Sequence, residues 1–191
     1  RTQPKIDKLK ETYLEAIEKM ATGEGPWCAG ISDEDSFNKE ELIARVNRAY
    51  EDIKLELDMK EAVKDADLVI ESMSENPDDK VVYTGRPEKY LSLHFANSIW
   101  KNNTAEVMGH SKTEQKYFDE IMQFANDIRM IALPVLKEKN GYLLNSMLVP
   151  FLLSGLDLYA AGVSDPKSID TAWTHGTGAP KGPFQIFDTV G

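Results

Sequence analysis

The sequence predicts an α/β domain followed by an all-helical one. Over residues 1–136, segments with apolar residues at helical spacing alternate with short runs of strand character. From Tyr142 onward a long apolar helix and a second helix follow, with no convincing strand between them. The two characters meet at Lys137–Gly141, a short charged stretch ending in glycine. The expected domains are therefore residues 1–136 and 137–191.

Ile6, Leu9, Tyr13, Ile17 and Met20 recur at helical spacing, so residues 5–21 read as an amphipathic helix. Residues 22–35, rich in Gly, Ser and Asp, read as a loop. Asn38 followed by Glu41 is a capping-box spacing, and Leu42, Val46, Ala49 and Tyr50 stripe the next helix. Ile53, Leu55 and Leu57 alternate with Lys54 and Glu56, which predicts a strand with one buried face. Met59–Ala66 reads as a short helix. Leu68, Val69 and Ile70 form a continuous apolar run of the kind found in a parallel strand covered on both faces. Leu91, Leu93 and Phe95 mark a further strand. A helix over Glu114–Met130 turns Tyr117, Ile121, Phe124 and Ile128 inward, and Ile131–Leu136 reads as a strand. Beyond the linker, Leu143–Val163 is a long apolar helix. Pro166 after Ser164 and Asp165 opens another, running to His175.

Composition bounds the function. Of 191 residues, 32 are acidic and 22 basic, a net charge of -10 that argues against a nucleic-acid surface. A lone cysteine, Cys28, has no internal partner, which fits a reducing, cytoplasmic setting. Residues 1–10 are polar and carry no signal-peptide core. Leu143–Val163 has the length of a membrane span, but Asn145, Ser146, Pro150, Ser154 and Asp157 are costly in hydrocarbon, so it reads as a core helix. There is no GxGxxG, no P-loop, no CxxC and no HExxH in the chain, and nothing suggests zinc or iron–sulfur chemistry.

Of three histidines (His94, His110 and His175), His94 stands out. It closes the strand Leu91–Leu93, and open α/β sheets bind ligands beyond the carboxyl ends of their strands. Glu106 returns alongside it if the two flank a turn; otherwise it is a solvated charge at a strand edge. A carboxylate on one imidazole nitrogen fixes the tautomer and raises the basicity of the other. Asn145 falls among Leu143, Leu144, Met147 and Leu148, where a buried amide must be hydrogen-bonded. It either caps nearby backbone or faces a ligand between the domains. Glu71, Ser74, Glu75 and Lys80 follow the run Leu68–Ile70, where polar residues contact a cofactor or simply open a helix. Gly178–Phe184 reads as a rigid Gly/Pro turn.

Several of these motifs occur together in one family. Ala66-Asp67-Leu68-Val69-Ile70-Glu71, His94-Phe95-Ala96-Asn97, Ala105-Glu106-Val107, Gly141-Tyr142-Leu143-Leu144-Asn145 and the run Gly178–Asp188 resemble the L-3-hydroxyacyl-CoA dehydrogenases, above all the short 3-hydroxybutyryl-CoA type of bacteria. They stand in that family's order. The resemblance implies a Rossmann-type domain followed by an all-α domain that dimerises, with NAD as cofactor and an acyl-CoA-type substrate. It implies that His94 is the catalytic histidine and Glu106 its carboxylate partner. Asn145 would bind substrate near the reacting carbon, and Glu75, Lys80 and Asn97 would contact NAD. The chain departs from the family pattern in lacking the opening strand with its glycine loop and the C-terminal helices. It also lacks an internal strand and Ser/Thr-rich turn, since only Val81 and Val82 separate Lys80 from Tyr83. Ser98 stands where many members carry Pro, and Trp100-Lys101-Asn102-Asn103, near the family's acyl pocket, is unusually polar. Two alternatives share the fold: a sister dehydrogenase of another 3-hydroxy acid, such as carnitine or a sugar acid, and a catalytically silent helical dimer.

Overall fold

The computed structural model of the chain describes residues 2–72 and 85–190. The chain divides into two compact units, Arg1–Pro134 and Val135–Gly191.

In the first unit, helix α1 (Gln3–Thr22) carries a proline in its first turn and ends at Gly23, whose left-handed backbone returns an N–H to the Lys19 carbonyl. Helix α2 (Lys39–Asp52) begins at Asn38, whose side chain accepts from the Glu41 N–H. The two helices run antiparallel. Asp7 near the start of α1 accepts from the Tyr50 hydroxyl near the end of α2 at 2.8 Å, and Lys39 reaches Glu18 at 2.7 Å. Hydrogen bonds from Gln3 and Tyr50 hold the Asp7 carboxyl below the usual carboxylate range. Between the helices lies a core of Ile17, Met20, Cys28, Ile31 and Leu42, flanked by Tyr13, Trp27, Phe37 and Trp100. Ile17 is fully buried, and a side chain of that size contributes about 2 kcal/mol of transfer energy.

Helix α3 (Met59–Val63) is short and capped by Asp58, which accepts from the Lys60 and Glu61 N–H groups. The strands expected on either side of it do not form. Ile53–Leu57 and Leu68–Ile70 are irregular and exposed, with Leu57 99% and Ile70 63% accessible. Strand-type patterning records what a segment can bury, not whether a ladder partner is present. Among the described residues no strand pairs with either segment.

The sheet is instead built from β1 (Ser92–Phe95), β2 (Thr104–Met108) and β3 (Ile131–Val135), in the order β1-β2-β3. β1 and β2 form an antiparallel hairpin. Helix α4 (Gln115–Asp127) connects β2 to β3 and packs on β2, where Ala105, Ala125 and Met130 make a second core with Leu93, Phe95 and Ile99.

The second unit is helical. Helix α5 (Leu144–Ala160) packs on α6 (Pro166–Thr177) and α7 (Pro183–Val190). Asp165 caps α6, and hydrogen bonds from Ser168 hold its carboxyl below the usual range. Among the described residues no helix is long and apolar enough to cross a membrane. Asp170 of α6 is buried and accepts from the Phe184 and Gln185 N–H groups at 2.9 and 3.1 Å. It thus caps α7 from another helix. The Gly/Pro turn of residues 178–183 makes this possible, because a Cβ on Gly182 would sit 2.3 Å from Asp170 Oδ1.

Replacing Asp170 by Ala leaves two helix N–H groups without their acceptor. The expected loss is about 2 kcal/mol in urea unfolding followed by circular dichroism, the upper end of the range for helix caps. An unchanged midpoint would show that water replaces the cap without cost.

Candidate active site

His94 is the third residue of β1, inside an antiparallel hairpin rather than beyond the end of a parallel strand. The register sets His94 opposite Glu106, between the pairs Leu93–Val107 and Phe95–Ala105. Side chains directly opposed across such a pair start about 5 Å apart at Cβ, within reach of one hydrogen bond. Here His94 Nδ1 lies 2.7 Å from Glu106 Oε2. β2 is the middle strand, and Ala105, Glu106 and Val107 are all buried. A carboxylate 3% exposed needs a partner, and the imidazole supplies one. The His94 ring itself is 25% exposed, so the pair is reachable from outside on the histidine side only. With Nδ1–H donating to the carboxylate, the neutral ring presents Nε2 as its proton acceptor.

The turn from Ala96 to Asn103 follows directly. Its tip, Asn97 and Ser98, is exposed, with Ser98 at φ 58°. The Ser98 carbonyl accepts from Lys101 and Asn102 N–H, and Asn102 Nδ2 donates to the Asn97 carbonyl. Asn103 Nδ2 donates to the Arg129 carbonyl at 2.8 Å, and the Asn103 carbonyl accepts from Ile131 N–H at 2.6 Å. The polar character of this stretch therefore goes into holding backbone. Trp100 packs in the helical core, its ring 6.0 Å from Tyr13. Gly30 N–H donates to the Trp100 carbonyl, and a Cβ on Gly30 would lie 2.4 Å from the Ile99 carbonyl oxygen.

The other expected residues are scattered. Asn145 is the second residue of α5 and is half-buried, not buried as its apolar neighbours predict, because Leu144 and Met147 beside it are themselves exposed. Glu75, Lys80 and the Lys80–Tyr83 stretch lie outside the described residues. His175 lies in α6 beside Thr174. Cys28 is a core residue, and burial pushes its thiol up despite Lys101 nearby. Among the described residues no cluster of histidine, cysteine and carboxylate side chains could hold a metal ion. The supports missed from sequence are Asn103 and Arg129. Arg129 adopts φ 66° just past α4, closing that helix, and ion-pairs with Asp33. No local residue pattern announces either contact.

Residues 81–139 match the model of the 3-hydroxyacyl-CoA dehydrogenase NAD binding domain, and residues 141–191 that of the 3-hydroxyacyl-CoA dehydrogenase C-terminal domain. A solved diketoreductase, described for substrate-directed dual catalysis of dicarbonyl compounds, is 37% identical with a TM-score of 0.81. That match covers 98% of this chain and 69% of the diketoreductase. The chain belongs to the 3-hydroxyacyl-CoA dehydrogenase family. Its fold is that family's Rossmann-type NAD-binding domain, in part, followed by a helical C-terminal domain. A 3-hydroxybutyryl-CoA dehydrogenase of Clostridioides difficile is 26% identical, covering 100% of this chain and 72% of that protein. The human mitochondrial hydroxyacyl-coenzyme A dehydrogenase is 33% identical over 56% of this chain. The chain spans 34% of the human relative's length, and 57% of a probable 3-hydroxyacyl-CoA dehydrogenase of Caenorhabditis elegans.

Replacing Gly30 by Ala pushes a methyl group into the Ile99 carbonyl and displaces the turn after β1. The expected cost is about 1–3 kcal/mol, the range for inserting a methylene into packed structure, read by thermal unfolding. A variant as stable as the parent would mean that the turn shifts freely.

Proposed function

We propose that the protein is an NAD-dependent L-3-hydroxyacyl-CoA dehydrogenase, interconverting a 3-hydroxyacyl and a 3-oxoacyl thioester. The observation that carries the reading is the 2.7 Å contact between His94 and a buried Glu106, in a chain of this family. Residues 1–136 serve as the NAD-binding domain and 137–191 as the substrate and dimerisation domain of a cytoplasmic homodimer. The exposed apolar residues of α5, among them Leu153, Leu156 and Tyr159, support the dimer.

A histidine backed by a carboxylate takes a hydroxyl proton near neutral pH, which is the donor set that hydride chemistry at a carbinol needs beside it. The residues thus fit the reacting end of the cofactor; the sequence has no GxGxxG loop for its pyrophosphate. The chemistry that bound NAD supplies is hydride exchange with C3 of the acyl group. In oxidation, His94 Nε2 takes the C3 hydroxyl proton as the carbonyl forms. Glu106 holds the ring in the required tautomer and stabilises the imidazolium. In reduction the same Nε2–H returns the proton to the developing alkoxide. Asn97 at the turn tip, with Glu75 and Lys80, holds the cofactor, and Asn145 orients the substrate carbonyl.

A second reading is a reductase of dicarbonyl compounds not carried on CoA, favoured by 37% identity to the diketoreductase over 98% of the chain. Loss of nicotinamide absorbance with acetoacetyl-CoA and, separately, a small diketone decides between them. Turnover of neither, with NADH unbound, would leave the silent dimer.

Replacing His94 by Gln should lower kcat by roughly 10²–10⁴-fold with NADH affinity little changed, the usual worth of a general acid–base group. Replacing Glu106 by Gln should act in the same direction, through the tautomer of His94. Near-normal turnover by the His94 variant on both substrates would overturn the proton-transfer role.

A further inference from the structure

The open end of the β1–β2 hairpin is closed by side chains rather than by more ladder. Lys112 N–H donates to His110 Nδ1 at 3.2 Å, and His110 Nε2 lies 3.0 Å from the Pro87 carbonyl oxygen. A carbonyl only accepts, so Nε2 carries the proton and Nδ1 the lone pair. Both contacts are met at once by one form of the ring, the neutral Nε2–H tautomer. Two further bonds join the same two segments, and a third holds Thr113 in place. Thr113 Oγ1 accepts from His110 N–H and donates to the Tyr90 carbonyl at 2.8 Å, while Glu114 N–H donates to the Glu88 carbonyl at 2.9 Å. The Tyr90 ring lies against the imidazole, with centroids 6.3 Å apart.

This clasp sits two residues beyond the last ladder pair, Ser92–Met108. A one-residue slip of β1 against β2 would turn His94 away from Glu106. We infer that His110, with Thr113, is a positioning device: its neutral ring ties the Pro87–Tyr90 lead-in of β1 to the end of β2 and so fixes the register that sets His94 opposite Glu106. The catalytic consequence rests on the function proposed above; the clasp itself does not.

The test uses the full-length protein. Nitrogen-resolved imidazole spectra of the wild type should report His110 as the Nε2–H tautomer at neutral pH. In His110→Ala, amides of Ser92–Phe95 should exchange about tenfold faster, and kcat should fall about tenfold while KM moves less than about twofold. His110→Gln, which keeps one donor and one acceptor, should restore both. Thr113→Val, expected to raise the same exchange rates about threefold, serves if His110→Ala does not fold. A proton found on Nδ1, or exchange unchanged in both variants, overturns the clasp. If the wild type turns over no 3-oxo compound, the functional reading fails and the spectra and exchange rates judge the clasp alone.

Discussion

The bond between His94 and Glu106 is the constraint around which the first unit is arranged. Because β2 is the central strand, Glu106 is shut away from water whatever else the chain does. A carboxylate in that position must be answered by a donor, and the residue opposite it across the hairpin is within reach. Removing the imidazole would take a 2.7 Å partner from a buried carboxylate, so the ring contributes to folding. The pair's geometry is thereby tied to the stability of the sheet.

Two anchors hold the turn that leaves β1. Ile99 enters the core between β2 and α4, and Trp100 enters the core between α1 and α2. Adjacent residues thus enter different cores, which, together with the hydrogen bonds to the Asn97 and Ser98 carbonyls, pins the exposed tip. The helical pair, remote in sequence, acts as a platform for the residues that follow His94.

Most of the helices were legible because they carry local signals; α7 was not, since its cap comes from Asp170 on another helix. Asn38 before α2 and Asp165 before α6 announce their starts, and apolar residues at 3.6-residue spacing mark α1 and α4. β1 was legible from its alternation, whereas β2 entered only through the family motif Ala105-Glu106-Val107. Ile53–Leu57 and Leu68–Ile70 were misread because their patterns are real but a strand exists only with a neighbour. The His94–Glu106 pairing was visible as a possibility alone, since register depends on residues far apart in sequence. Its assignment as a pair came from family resemblance, and its distance from the fold. Contacts such as Asn103 with Arg129 join loop to helix end and leave no trace in the local sequence.

Asp170 makes the last helix of the second unit dependent on its neighbour. Helix α7 spans eight residues, too few to sustain itself in water. Its initiating acceptor sits 14 residues upstream, on another helix. The first turn of α7 is therefore held by a tertiary contact, which needs both α6 and the intervening turn in place. The last helix of this unit thus depends for its start on the one before it.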